Sequence, residues 1–288
     1  MNGKLIVGSM PLGNMEDITL RMLDAFKTAD IILSDYPTTY ADALMKKYEI
    51  DKNLIILKSF HSCHADGEQI EFVMSAIEDG RSVLLISSEG QIALSDPGIQ
   101  FIQECIRRGL PYQVLPGPNA GMHAYISSGL SNGKLLIHPT IEPKNVSIEF
   151  TPLKNIASSL TVYIWGKDIP EIINQIDREY KWESEDEQFA NRVISLCCNL
   201  TTPEEFIITD WAHKIKSHPD LKKIHQRTKV TVVIGELMHT DDCDHHICNS
   251  IRDLFPGQKY KGAPQKEIDK SKPWCDHPGQ SQTPWVYN

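Results

Sequence analysis

Short apolar runs alternate with segments of helical period over the first half of the chain. Residues 4–8, 31–34, 54–57, 82–86 and 111–115 are brief and rich in Ile, Leu and Val. Such runs predict buried strands. Between them, apolar residues recur at helical spacing over 16–29, 39–48, 67–79, from the Asp96-Pro97-Gly98 start to 108, and over 121–129. Asn14 or Asp17 is expected to cap the first of these helices. Asp96 is expected to cap the fourth, with Pro97 in its first turn. Strand and helix in regular alternation predict an α/β fold with a largely parallel sheet. The pattern then restarts, with strands expected at 134–138, 160–165, 192–198 and 228–234 and helices at 170–180 and 203–216. The reading is two α/β domains, 1–118 and 119–237, the second with strands that could be mixed. An irregular tail follows over 238–288, in which only 248–255 has the pattern of a short helix.

Composition narrows the class. At 288 residues and 41% hydrophobic, the chain can bury a sizeable core. No run approaches the roughly 18 apolar residues of a membrane span, so no membrane association is expected. The first residues read as a strand rather than a signal peptide. Seven cysteines, an odd number, follow no disulfide framework, which points to a reducing, cytoplasmic setting. A net charge of -9 argues against indiscriminate affinity for nucleic-acid backbone but leaves a local basic patch open. Neither a P-loop nor a G-x-G-x-x-G motif occurs. The acidic segment 181–187 reads as a solvated loop.

Candidate chemistry gathers after the strands. All five of the first half end in polar or Gly/Pro-containing loops, and in an open parallel sheet those ends share one edge, where ligands bind. The central loop, Ser87-Ser88-Glu89-Gly90-Gln91-Ile92-Ala93-Leu94-Ser95-Asp96-Pro97-Gly98, lies between the fourth strand and its helix. Free N–H groups at that helix start would favour a polar or anionic group; the spacing alone fits an ordinary turn equally well.

The motifs add a resemblance. Met10-Pro11-Leu12-Gly13-Asn14-Met15-Glu16-Asp17-Ile18-Thr19 resembles T-P-I-G-N-L-x-D-I-T, the central loop resembles S-D-A-G-T-P-x-I-S-D-P-G, and Pro116-Gly117-Pro118-Asn119-Ala120 resembles P-G-P-S-A. In this order they are similar to the tetrapyrrole methylase-like, class III S-adenosylmethionine-dependent methyltransferases. The nearest branch is that of small-subunit ribosomal RNA (cytidine 2'-O-ribose) methyltransferases. The resemblance extends over residues 4 to about 130, thins over 131–237 and is absent from the tail.

That resemblance implies an enzyme, usually a homodimer, which holds S-adenosylmethionine between its two domains and passes the methyl group to RNA or a small-molecule acceptor. It places donor contacts on Pro11, Ser87, Ser88, Glu89, Gly90, Ile92, Ser95, Asp96 and Ala120. In-line displacement from a sulfonium calls for positioning rather than a metal. Asp35, after the second strand, and His61, after the third, are the candidate catalytic groups, with His64 beside them. Two alternatives remain: a methyltransferase acting on a tetrapyrrole or other small molecule, or a homologue that binds the cofactor without catalysing transfer. Departures from the family pattern bear on the acceptor. Ser34-Asp35-Tyr36-Pro37 stands where E-D-T-R is usual, and Trp165-Gly166-Lys167 follows a strand normally trailed by E-S-P-H-R. Cofactor binding is therefore expected to persist with acceptor recognition altered. His239, Cys243, His245, His246, Cys248, Cys275 and His277 crowd the tail, but their spacing is not that of a standard zinc site, and no metal is assigned.

Overall fold

The computed structural model describes residues 3–35, 39–57, 67–130, 134–138, 158–179 and 193–235. The first unit is a five-stranded parallel sheet of β1 (Leu5–Val7), β3 (Ile31–Ser34), β4 (Leu54–Ile56), β5 (Val83–Ile86) and β7 (Tyr112–Val114), ordered β4-β3-β5-β1-β7. Between these strands run α1 (Leu20–Thr28), α2 (Thr39–Lys47), α3 (Gly67–Glu78) and α4 (Ile99–Arg108).

Side chains of successive strand residues point to opposite faces. Leu5, Val7, Leu33 and Leu85 therefore pack beneath α3 and α4, around Met74, Phe101 and Cys105. Ile6, Ile32, Leu84 and Ile86 pack beneath α1 and α2, around Met22, Phe26 and Leu44. With both faces covered, the central strands β1, β3 and β5 are buried along their whole length rather than at alternate positions. From β1 the chain steps outward to β3 and β4, then returns to β5 and β7. Right-handed crossovers place the outward helices on one face and the returning helices on the other. The neighbouring strands β1 and β5 thus lead into helices on opposite faces, a topological switch point of the kind where ligands bind at the carboxyl ends of a parallel sheet.

The second unit is mixed. β8 (Leu135–His138), β9 (Ser159–Trp165), β10 (Val193–Cys198), β11 (Phe206–Trp211) and β12 (Lys229–Ile234) are ordered β11-β10-β12-β9-β8. All pairs are antiparallel except β8 with β9. On one face, Val162, Ile164, Leu196, Ile208, Val230 and Val232 bury against α6 (Ile169–Glu179) and α7 (Ala212–Ile215). Against the other face lies α5 (Ala120–Ser127), with Ala124 and Tyr125 on Val193, Cys197, Trp211 and Val233.

Three local expectations fail. The helix expected over 203–216 is strand β11 for six residues and helix only at Ala212–Ile215. Phe206-Ile207-Ile208-Thr209-Asp210-Trp211 is β-branched and aromatic, and every residue of it pairs with β10. The first helix is split, with a single 3-10 turn at Met15–Asp17 preceding α1. Asn14 caps that turn, whereas the cap of α1 is Thr19, whose Oγ1 accepts from Met22 N at 3.1 Å. Nor does Asp96 cap α4. The chain turns sharply at Gly98 (φ 151°), where a Cβ would stand 3.3 Å from both Ile92 and Leu85, and the helix begins after it. The tail, the acidic 181–187 segment, His61 and His64 lie outside the described residues.

Candidate functional site

The loops after β1, β5 and β7 meet. The first continues as a two-residue strand, β2 (Ser9–Met10), which pairs antiparallel with β6 (Gly90–Gln91) in the central loop. Ser9 Oγ donates to the Pro118 carbonyl at 2.6 Å, tying the first loop to the third. The approach is close enough that a Cβ on Gly117 would sit 2.7 Å from that of Ser9. A side chain at Gly90, whose φ is 66°, would meet Leu12 and Pro118. Ala93 shares the left-handed region at φ 68°, conformational strain that surrounding contacts must offset. Within the turn, Ser87 Oγ lies 2.9 Å from the carbonyls of Glu89 and Gly90 and bonds to them.

This rim faces the second sheet. Asn14 N donates to Thr201 Oγ1 at 3.1 Å. Gly121 N donates to Tyr163 Oη at 3.2 Å, so the third loop enters α5 against β9. Glu89 forms an ion pair with Lys229, the first residue of β12.

Charge at the rim is held in poor solvent. Burial pushes the Asp96 carboxyl up to about 6. Its charge in turn helps raise the Tyr163 phenol, whose largest perturbation is burial, so the two groups lie within electrostatic reach across the interface. The Glu89 carboxyl is raised by burial, opposed by Lys229. Tyr40, on α2, is pushed up to about 12, by burial first and then by the charges of Glu89 and Asp17. The hydroxyls of Tyr40, Ser95 and Thr161 are buried without a hydrogen-bond partner among the described residues. Orphaned buried hydroxyls ask for a partner from elsewhere.

The residues named from the sequence fall as follows. Pro11, Ser87, Ser88, Glu89, Gly90, Ser95, Asp96 and Ala120 all belong to the converging loops or to the start of α5. The side chain of Ile92 is buried in the core beneath α3 and α4, which leaves its main chain as the part able to face a ligand. The Ser87 hydroxyl serves the turn. Asp35 is 7% exposed at the end of β3, and its N–H donates to Ile86 O at 3.2 Å, beside the root of the central loop. Sequence reasoning missed Thr161, Tyr163, Lys229 and Tyr40. Only the register of β9 against α5 and β12 brings the first three to the cleft, and no motif marks them. A carboxyl held away from water and three unsatisfied hydroxyls suit a polar, partly cationic ligand held between the units.

Comparison with known proteins bears on this geometry. The sequence profile of the tetrapyrrole (corrin/porphyrin) methylases matches residues 4–213. A ribosomal RNA small subunit methyltransferase I from Thermotoga maritima is 34% identical over 134 residues, covering 46% of this chain and 58% of that protein. One of the same name from a Hydrogenobaculum species is 37% identical over 127 residues, 44% of this chain and 54% of its own. The match therefore spans little more than half the length of these relatives. Among solved structures, a uroporphyrin-III C-methyltransferase from Thermus thermophilus, complexed with S-adenosyl homocysteine, superposes with a TM-score of 0.56. It is 15% identical and covers 81% of this chain and 97% of that one.

Proposed function

Since this chain belongs to the tetrapyrrole (corrin/porphyrin) methylases, we propose that it is an S-adenosylmethionine-dependent methyltransferase acting on a ribose 2'-hydroxyl of ribosomal RNA. The observation that carries the reading is the joining of three strand-end loops into one rim opposite a second sheet. When bound there, S-adenosylmethionine supplies a methyl group on a positively charged sulfur, a leaving group good enough for direct displacement. The chain's residues then have three tasks. Main-chain groups of the loops, with the Ser95 and Thr161 hydroxyls, hold the polar parts of the donor. Asp96, and the wider negative field of the rim, favours a cation. Asp35, at the neighbouring strand end, receives or orients the proton released as the acceptor oxygen takes the methyl group, with His61, outside the described residues, as the second candidate from the sequence. Excluding water and fixing an in-line approach supply most of the rate.

The RNA acceptor is supported by the names of the curated relatives, and by the local run of Lys and Arg between residues 214 and 229. A homodimer is supported by Tyr112 and Val114 on the edge strand β7 and by Met122 and Ile126 on α5, all well exposed and apolar. A reducing, cytoplasmic setting is supported by the free, buried thiols of Cys105, Cys197 and Cys198. No helix among the described residues is long and apolar enough to cross a membrane.

Titration calorimetry with S-adenosylmethionine, followed by transfer of a labelled methyl group to small-subunit ribosomal RNA, tests the reading. One-site binding and label in a 2'-O-methylcytidine are expected. No donor binding ends the methyltransferase reading. Donor binding with label entering only a small planar acceptor moves the function to the tetrapyrrole branch.

A further inference from the structure

Along β9, Thr161, Tyr163 and Trp165 share one face by the two-residue period of a strand. The first two reach Gly121, where a Cβ would stand 2.9 Å from the oxygens of each. At these two residues the face meets the start of α5. Trp165 continues the row, directly opposite Lys229 in the β9–β12 ladder. Lys229 is the residue that bonds Glu89 of the central loop, so Trp165 stands one strand away from the rim. It is nonetheless 44% exposed, a large apolar ring facing solvent.

The chain around it is basic. Past the strand, Gly166 N donates to Thr228 O at 2.7 Å and Lys167 N to Gln226 O at 3.1 Å, which seats Lys167 beside Arg227. Both side chains are exposed and form no ion pair with any described carboxylate. Between residues 214 and 229 the sequence carries Lys214, Lys216, Lys222, Lys223, Arg227 and Lys229 against the single acid Asp220, in a chain of net charge -9. An exposed aromatic ring flanked by unpaired cations is the arrangement that grips single-stranded nucleic acid. A base stacks on the ring while phosphates meet the cations.

We propose that Trp165, with Lys167 and Arg227, forms the platform that receives the RNA acceptor at the mouth of the cleft. The inference rests on the RNA reading above and names the surface through which it works. A base stacked on Trp165 anchors the strand, and Lys167 and Arg227 each neutralise a phosphate of a neighbouring nucleotide. Trp165 and Lys167 stand where the related branch carries a different motif, so acceptor recognition here has its own chemistry.

The test is fluorescence anisotropy of a labelled, mixed-sequence single-stranded RNA bound by the full chain across a salt series, with donor affinity read in parallel by calorimetry. Trp165→Ala is expected to weaken RNA binding about 10-fold or more, and Trp165→Phe, which keeps a stacking face, to restore most of it. Lys167→Gln and Arg227→Gln are each expected to flatten the slope of log affinity against log salt by about 0.7. Wild-type binding that none of these changes alters overturns the platform and leaves the RNA reading standing. A fall in donor affinity that matches the RNA loss in Trp165→Ala also overturns it, because the damage would then be general. An unmutated chain that binds donor but no RNA overturns both.

Discussion

Asp96 shows how far one residue can depart from its ordinary chemistry. Its carboxyl ionises near 6 because the loop holds it away from water. Well below pH 4 the group is neutral whether the chain is folded or not, and it has no effect on stability. As pH rises toward 6 the unfolded chain ionises first, so the fold loses stability progressively; above 6 the loss is complete. Asp96→Asn should therefore raise stability by about 1 to 3 kcal/mol at pH 8 and by much less near pH 4, where most of the linkage is gone, as denaturant melts at the two pH values would read. The same substitution should weaken donor binding, because the charge that burdens the empty fold is the one a cation would meet. A residue that improves stability when removed and harms binding is retained for function.

Elements meet at distances that leave no room for a side chain. Gly117 lies so near Ser9 that a methyl group would overlap the serine Cβ, an atom fixed by the backbone. Gly117→Ala should part the first loop from the third, cost about 1 to 3 kcal/mol, and lower donor affinity by more than the lost stability accounts for. Thermal denaturation and calorimetry on one sample would check both. At this scale the sequence was legible where pattern is local. Every strand of the first sheet is announced by its own apolar run, and the three loops by Pro, Gly, Asn and Asp at the strand ends. It was misread where two local signals compete. Phe206–Trp211 has a helical neighbour in Ala212–Ile215 and a helix-like beginning at Pro203, yet the β-branched run pairs along its whole length with β10. Asp96 satisfies the composition of a cap, but the backbone at Gly98 decides where the helix begins. The site was half legible for the same reason. Loop residues carry motif signals, whereas Tyr163, Thr161 and Lys229 reach the cleft only through pairings between distant strands.

Among the described residues, the two units are joined by polar links that include the Glu89–Lys229 ion pair. Lys229 is about half exposed and Glu89 less so, so the pair is partly screened. A double-mutant cycle of Glu89→Gln and Lys229→Met should give a coupling of about 0.5 to 1 kcal/mol, smaller at high salt. A coupling of zero would mean that the pair adds nothing to the hydrogen bonds and packing that join the units. Strand order carries a further consequence, for how the chain acquires its shape. β1 is made first, yet both of its neighbours, β5 and β7, come later in the chain. During vectorial synthesis the amino-terminal strand waits unpaired until residues 83–86 emerge, and its second edge stays open until residues 112–114 follow. Contacts of such long sequence separation form slowly. The loop after β1 therefore precedes the other two in synthesis yet waits for both to be given a conformation, and a nascent chain stalled before β7 would have a sheet without a binding rim.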